Sequence, residues 1–190
     1  MTAEPEDTAE FHGQFLVSMP DLKDGVFESS LVLICEHNDA GAMGFIVNKP
    51  TEFSVRDIFE QLGIEAAVDL DPDVPVMNGG PVEPQRGFLL VNHPICEDVV
   101  EVLDGLFLAS SPDVLPLAVD ALNQGDALFV LGYSGWSEGQ LEQEMQGNAW
   151  LNVPWDADVM FQMPSSDRQR AALAQLGIDP IQLSQGAGHA

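Results

Sequence analysis

Basic residues are scarce in this sequence. Six Lys and Arg stand against 31 Asp and Glu, which gives a formal net charge of −25 at pH 7. Proteins that bind nucleic acids or anionic membranes neutralise phosphate groups with clustered cations. Here the cations are dispersed and form no basic run: Lys23, Lys49, Arg56, Arg86, Arg168 and Arg170. We therefore expect no membrane contact and no direct nucleic-acid contact, and interpret the acidity mainly as a source of solubility.

Long apolar runs and an export signal are also absent. No apolar run approaches the roughly 20 residues that a membrane-spanning helix requires. The first ten residues are acidic where a secretory signal carries positive charge. The two cysteines, Cys35 and Cys96, are too few for a disulfide framework. These absences predict an intracellular protein whose cysteines are thiols.

The sequence contains no recognisable metal or cofactor motif. Its histidines are scattered, at His12, His37, His93 and His189, without the spacing of a metal site. Neither a dinucleotide-binding nor a phosphate-binding glycine motif occurs. We therefore predict no metal ion and no cofactor.

Short strands outnumber helices in the hydrophobic pattern. One hairpin is predicted from Leu31–Cys35 and Gly44–Asn48, and another over 99–109 around the turn Asp104-Gly105. A further short strand is predicted at Val159–Phe161. The predicted helices are Val55–Leu62, capped by Ser54, then Pro112–Asn123, Glu138–Gln146 and Asp167–Leu176. This pattern favours a single α+β domain over 13–190, with a mixed sheet covered by a few helices. Residues 1–12 are predicted to be a flexible acidic arm.

Cys35 and His37 are the first candidate site. Residues two apart on a strand face the same side, so the thiol and the imidazole could touch. A thiol beside an imidazolium has a lowered pKa and can act as a nucleophile or redox sensor. The alternative is a buried, inert cysteine next to a histidine at a surface turn.

Gly132-Tyr133-Ser134-Gly135-Trp136 is the second candidate. It resembles the G-x-S-x-G nucleophile elbow, but Trp136 replaces the last glycine and no catalytic triad is supported. The segment is predicted to be a turn that leads into a helix whose start is capped by Ser137 and Gln140. Such a helix start can bind an anion through free N–H groups. The alternative is a packing corner that buries Tyr133 and Trp136.

The order and spacing of many blocks resemble the AlgH/YqgE family of bacterial proteins. The matching blocks cover Phe15–Pro20 with Asp24 and Phe27, Leu33–Asn38, Gly41–Gly44, Val47–Pro50, Gly79–Val82, Arg86–Phe88, Gly132–Trp136, Gly139–Leu141, Trp150, Leu176–Asp179 and Gly188–Ala190. The resemblance implies a single α+β domain with a strongly bent, partly barrel-like mixed sheet and a cytoplasmic setting. It implies no established activity, although one member of the family carries the label of a candidate transcriptional regulator.

Two functions follow as hypotheses. The first is a non-enzymatic regulatory or binding protein that controls gene expression indirectly, through an unknown protein or small-molecule partner. The second is a thiol-dependent enzyme or redox sensor that uses Cys35, with His37 as its base. In this second hypothesis, Arg86 or the helix start at Trp136–Gln140 would bind an anion. The candidate ligand-binding residues are Asn48, Arg86, Tyr133, Ser134, Trp136 and Gln140. A site exists if Cys35, His37, Asn48 and Tyr133–Trp136 converge on one cleft.

Overall fold

The computed structural model describes residues 10–22 and 25–186. Residues 1–9 of the predicted arm lie outside the described residues, as do Lys23, Asp24 and the block Gly188–Ala190. Phe11, which the prediction placed in the flexible arm, is only 6% exposed and donates its backbone N–H to His37 Nδ1 over 3.3 Å. Phe11 therefore packs as part of the domain.

The described chain contains ten strands, six α-helices and three short 3₁₀ helices. The strands are β1 Gln14–Ser18, β2 Leu31–Asn38, β3 Gly41–Ile46, β4 Pro50–Ser54, β5 Pro75–Asn78, β6 Val82–Val91, β7 Val100–Leu103, β8 Leu106–Ala109, β9 Ala127–Ser137 and β10 Trp150–Pro154. The α-helices are α1 Val55–Gln61, α2 Val119–Gln124, α3 Gln140–Gln146, α4 Ala157–Phe161, α5 Ser165–Ala174 and α6 Pro180–Gly186, and the 3₁₀ helices are Gly25–Phe27, Glu65–Asp69 and Pro112–Ala118. No helix in this part of the chain is both long enough and apolar enough to cross a membrane.

All ten strands join one mixed sheet. The main path runs β10-β1-β2-β3-β9-β6-β8-β7 with antiparallel neighbours, while β5 pairs with β9 in parallel and with β4 on its other side. Both predicted hairpins are present, as β2–β3 and β7–β8. The sheet curls into a half-barrel, which confirms the predicted α+β class and the strongly bent sheet.

The long strand β9 is the branch point of the sheet. Its first half pairs with β5 as far as Leu131, and its second half pairs with β3 from Ser134 onward. Gly132 lies between the two halves with a positive φ of 74°, a conformation that glycine adopts without steric cost. The predicted turn at 132–136 is therefore wrong, because these residues continue the strand after a bend.

The segment that follows β5 crosses this bend at very close range. A Cβ on Gly80 would lie 2.2 Å from the carbonyl oxygen of Tyr133, and Gly80 itself has a φ of 148°. Just before it, Gly79 bonds its N–H to the carbonyl of Leu131 and accepts the Ser134 hydroxyl proton on its own carbonyl. Two backbones are thus held together with no room for a side chain between them.

The curled sheet buries apolar residues on both of its faces. The concave face packs against α4 and α5 in an inner core that includes Phe15, Leu33, Phe45, Phe88, Val130, Met160 and Leu173. On the convex face, one outer core packs under α1, α2 and the 3₁₀ helix 112–118, with Phe59, Leu89, Leu115 and Phe129. The other outer core packs under α3, with Leu16, Ile34, Trp136, Leu141 and Trp150. Alternate residues of β6 divide between these layers, as expected of a strand that is buried on both faces.

Two further local predictions are corrected by the structure. Val159–Phe161 belongs to α4 rather than to a strand, because Asp156 accepts the Asp158 N–H (2.8 Å) and starts a helical turn. The predicted helix at 112–123 begins as the 3₁₀ helix Pro112–Ala118 and becomes α-helical only at Val119. Pro116 has no backbone N–H to donate, so it interrupts the α-helical bonding pattern there.

Arg168 on α5 is a buried cation that ties helix to sheet. Its side chain donates to the carbonyl oxygens of Val47 (Nη1, 2.5 Å) and Met163 (Nε, 3.1 Å). Burial lowers its pKa to about 10, so the guanidinium remains charged at neutral pH. This contact fixes α5 over the end of β3.

The close crossing at Gly80 makes a testable prediction. We expect Gly80→Ala to lower the free energy of unfolding by about 3 kcal/mol or more, because it adds a backbone clash to an unfavourable φ. Gly177→Ala is the matched control, since Gly177 also has a positive φ (69°) but nothing lies within 4 Å of its added Cβ. The control should lose only about 1–2 kcal/mol in urea unfolding. Equal losses in the two variants would contradict the account of the crossing.

Candidate functional site

A β-bulge separates Cys35 from His37. In the β2–β3 pairing, Ile34 lies opposite Gly44 and Glu36 lies opposite Met43, so one extra residue is inserted at Cys35. The insertion reverses the alternation of side chains beyond it. Cys35 packs in the inner core, whereas His37 contacts Phe11 in the outer core under α3. The predicted contact between Cys35 and His37 is therefore wrong.

Cys35 has the environment of a structural cysteine. It is 6% exposed, and its thiol has a weak hydrogen bond (3.9 Å) to the Leu33 carbonyl. Burial raises the pKa of the Cys35 thiol to about 12, because a thiolate is poorly solvated among apolar side chains. The thiol is therefore protonated at neutral pH, which is the opposite of the lowered pKa that a nucleophile needs.

His37 uses both ring nitrogens within the protein. Nδ1 accepts the Phe11 N–H, so the ring proton lies on Nε2, which donates to Glu142 Oε1 over 2.5 Å. The imidazole side chain is only 2% exposed, while Glu142 is 41% exposed. Burial alone would raise the pKa of Glu142, but its backbone N–H and His37 stabilise the carboxylate and lower that pKa overall. The histidine thus fastens the start of the domain to α3.

The residues at 132–136 are also satisfied by internal bonds. The fully buried Ser134 donates to the Gly79 carbonyl (3.1 Å), and Trp136 donates its indole N–H to Glu144 (2.8 Å). Trp150 donates to the same Glu144 oxygen, and the two indole rings meet edge to face. Tyr133 packs on the opposite side, against Phe88 of the inner core.

The start of α3 does not have the cap that was predicted. Its N-cap is Gly139, which makes no side-chain capping bond, and the helix is only seven residues long. Gln140 accepts bonds from the N–H and the hydroxyl of Ser137, and its amide donates to Glu144. Gln140 therefore stabilises the β9–α3 junction, and its amide group is engaged there.

Asn48 and Arg86 are also engaged in contacts within the protein. Asn48 joins two segments, since it accepts the Leu31 N–H (2.8 Å) and donates to the Ser29 carbonyl (2.9 Å). Arg86 pairs with Glu83 (3.2 Å) and lies 5.0 Å above the Phe88 ring, a cation–π contact. The predicted candidates thus divide between the two faces of the sheet and do not converge on one cleft. Within the described residues, no group of three or more His, Cys, Asp or Glu could hold a metal ion.

A groove of about 660 Å³ opens elsewhere, on the convex face between α1 and the 3₁₀ helix 112–118. Strands β6 and β9 form its floor. The lining residues are Phe53, Ile58, Gln61, Leu62, Pro84, Gln85, Gly87, Leu89, Ala109, Ser110, Ser111, Pro112, Leu115, Phe129 and Leu131. Its volume falls in the range of ligand pockets, and none of the sequence-predicted candidates lines it.

The shape of the groove has a local cause in β6. Between Val82 and Gly87 the register of the pairing with β9 shifts, and Pro84 and Gln85 of this irregular part of β6 border the groove. Gly87 then makes room for Phe129, whose ring would lie 2.7 Å from a Cβ at this position. A glycine and a bulge together place an aromatic ring in the groove.

The apolar residues of α1 and its C-cap give a sequence signal for this groove. Val55, Ile58, Phe59 and Leu62 lie at helical spacing, but of these only Val55 and Phe59 are buried. Ile58 and Leu62 line the groove instead, and Leu62 is 53% exposed. The apolar face of α1 is therefore wider than the part of it that packs into the outer core.

The lining also limits the chemistry of the groove. None of its side chains is ionisable, and its polar groups are the amides of Gln61 and Gln85 and the hydroxyls of Ser110 and Ser111. General acid–base catalysis needs a titratable group, and transition-metal sites in proteins are mostly built from carboxylate, imidazole or thiolate ligands. The lining side chains suit an apolar group, and they include no carboxylate, imidazole or thiol.

The contrast between the two cysteines makes a testable prediction. In the folded protein, iodoacetamide should alkylate the half-buried Cys96 first, while Cys35 reacts only after unfolding, because it is buried and protonated. Mass spectrometry of peptides after timed labelling between pH 7 and 9 distinguishes the two sites. The control is Cys96→Ser, in which Cys35 is the remaining thiol. This variant is treated with iodoacetamide first in the folded state and then in urea. Alkylation of Cys35 before Cys96 would contradict the assignment.

Comparison with known proteins finds the same family along almost the whole chain. A family model described as AlgH-like matches residues 15–181. A UPF0301 protein of Bordetella petrii is 43% identical over 183 residues, which cover 95% of this chain and 90% of that one. A UPF0301 protein of Pectobacterium atrosepticum is 44% identical over 184 residues and covers 93% and 97% of the two chains.

Two solved structures have the same fold. The solution structure of AlgH from Pseudomonas aeruginosa matches with a TM-score of 0.73 and 35% identity over the full length of both chains. A crystal structure from Corynebacterium diphtheriae matches with a TM-score of 0.68 and 20% identity, over 96% of this chain and 92% of that one. Because the family model spans most of the sequence and the relatives match nearly end to end, the chain belongs to the AlgH-like family.

Proposed function

We propose that this chain is a non-enzymatic binding protein of the cytoplasm, and that its groove receives an apolar group of a partner. The observation that carries this proposal is the concave apolar surface between α1 and the 3₁₀ helix 112–118, which has no ionisable side chain in its lining. Ligand sites are typically concave and mostly apolar, with a few polar groups that fix orientation. The polar groups that could fix the orientation of a ligand here are the side chains of Gln61, Gln85, Ser110 and Ser111.

Exposed apolar residues around the groove support a binding role. Of the eight large hydrophobic side chains that are exposed in the described residues, four lie on the elements that form or adjoin the groove: Phe53, Leu62, Val68 and Leu117. Phe53 and Leu62 line the groove itself, and apolar surface that is exposed together is typical of binding sites. We therefore favour a role in which binding of a partner removes this surface from water.

The cations support an indirect role in any control of gene expression. Each of the five described cations is engaged within the protein. Lys49 donates to the Glu28 carbonyl, Arg56 to the Leu70 carbonyl and Arg168 to two carbonyls, while Arg86 and Arg170 pair with Glu83 and Asp167. With a net charge of −25 around them, they offer little to a phosphate backbone. A regulatory role would therefore act through a bound protein or small molecule.

The alternative of a thiol-dependent enzyme or redox sensor has little support. It needs an accessible thiolate next to a base. Cys35 is buried with a pKa raised to about 12, and His37 lies on the other face of the sheet and is bonded to Glu142. We therefore prefer the binding role.

Binding in the groove can be tested with a neutral dye such as Nile red, whose fluorescence rises in an apolar site. We expect saturable binding that Phe53→Ser/Leu62→Ser weakens about tenfold, because both side chains lie at the groove. Val100→Ser is the control, since Val100 is as exposed (64%) but lies on β7, outside the groove. Loss of binding in the control, or none in the double variant, would refute the groove as the site.

Indirect action predicts no specific DNA binding. In gel-shift titrations at low salt, the purified protein should retard promoter and random DNA equally poorly, because its cations are few and engaged. A salt-sensitive shift that depends on sequence would contradict this expectation. Arg86→Gln/Arg170→Gln identifies the source of any such shift, since these are the two cations with exposed side chains in ion pairs.

A further inference from the structure

We propose that the partner for this groove is a basic amphipathic α-helix of another protein. The inference rests on the proposed binding function and adds the chemical class of the partner. It depends on three features of the groove: the bonding of its floor, the apolar side chains of its walls and the charge of its surroundings.

The two floor strands are paired with each other in the centre of the groove. Gly87 is paired with Leu131, and Leu89 is paired with Phe129. An extended peptide placed over these paired residues would find no strand edge there and would leave its own N–H and C=O groups without partners. A helix satisfies these groups internally and can press an apolar stripe onto the floor.

Both walls present apolar side chains to the groove. Ile58 and Leu62 are four residues apart, on one face of α1, and Leu115 stands on the opposite wall. Apolar residues at i, i+3, i+4 and i+7 of an entering helix could lie between these walls. Four of the polar lining side chains, Gln61, Gln85, Ser110 and Ser111, belong to exposed residues, and they would meet the polar flanks of that helix.

The surroundings of the groove are strongly acidic. Residues 50–73, which contain β4, α1 and the 3₁₀ helix 65–69, carry seven carboxylates and one cation: Glu52, Asp57, Glu60, Glu65, Asp69, Asp71 and Asp73 against Arg56. Arg56 is held by the Leu70 carbonyl. Asp113 lies next to the lining residue Pro112, while Glu83, next to Pro84, is paired with Arg86. A helix with lysine or arginine beside its apolar stripe would gain from this field, whereas an acidic helix would be repelled.

The test uses calorimetric titration of the full chain with a designed probe peptide about 18 residues long, which has leucine at helical i, i+3, i+4 and i+7 spacing and lysine elsewhere. The first control peptide has the same composition in scrambled order, and the second has glutamine in place of lysine. We expect the amphipathic basic peptide to bind at least about tenfold more tightly than either control.

Two pairs of protein variants locate the interaction. Phe53→Ser/Leu62→Ser should weaken the peptide about tenfold, with Val100→Ser unchanged. Glu52→Gln/Glu60→Gln should weaken it about threefold and reduce its dependence on salt, because two carboxylates near the groove are lost. Glu138→Gln/Asp158→Asn makes the same change in net charge at exposed positions on or beside α3 and α4, and it should have no effect.

The outcomes separate this inference from the proposed function. If Nile red binds in the groove but the amphipathic basic peptide binds no better than its controls, the helix inference is overturned and the binding function stands. Equal weakening by both charge variants would mean a general attraction to an acidic protein, and it would also overturn the inference. If neither dye nor peptide responds to Phe53→Ser/Leu62→Ser, both proposals fail.

Discussion

The backbone of Gly79–Gly80 passes directly against the bend of β9, and the arrangement of the sheet depends on this contact. At Gly80 a Cβ would lie 2.2 Å from the Tyr133 carbonyl, so only glycine allows the approach. The approach lets β5 leave β9 after Leu131 and lets β3 take its place from Ser134. One strand can therefore hold two different neighbours along its length. The sheet branches and curls there, and its concave side closes around the inner core under α4 and α5.

The outer faces of the same sheet have different roles because their coverings differ. Under α3, the layer is closed by the indoles of Trp136 and Trp150, which share Glu144, and by the pair His37–Glu142. Polar atoms in that layer have partners within the protein, so it is a rigid corner. Under α1 and the 3₁₀ helix 112–118, the covering elements are short and stand apart, and the floor between them remains open as the groove. The difference lies in the placement of the helices, since α1 and α3 each span seven residues and both layers are mainly apolar.

Charge and apolar surface are separated in this molecule. The described cations make hydrogen bonds or ion pairs within the protein. The clearest example is the buried Arg168, which holds α5 to the end of β3. The excess of carboxylates remains on the outside, including the stretch around β4 and α1. The groove between them contains no charge. Such a surface combines long-range attraction for cationic partners with short-range affinity for apolar groups.

Local sequence signals determined much of the secondary structure. Turn residues and apolar runs were sufficient to predict the β2–β3 and β7–β8 hairpins, and Ser54 and Asp57 form the capping box that starts α1. The order and spacing of the blocks that resemble the AlgH/YqgE family were sufficient to predict the family and, through it, the bent sheet. These features are local or are carried by many residues together, so they can be predicted from the chain alone.

The site depended on features that only the tertiary structure decides. The bulge at Cys35 places it and His37 on opposite faces, although the alternation of an ideal strand puts them together. Gly132 bends a strand instead of making a turn, because β3 is available to pair with the residues beyond it. Ile58 and Leu62 line a groove because no neighbouring element covers them, which their spacing in α1 cannot reveal. Sequence thus determined most of the strands and helices and their apolar surfaces, while the pairing of distant segments decided which of those surfaces stayed open.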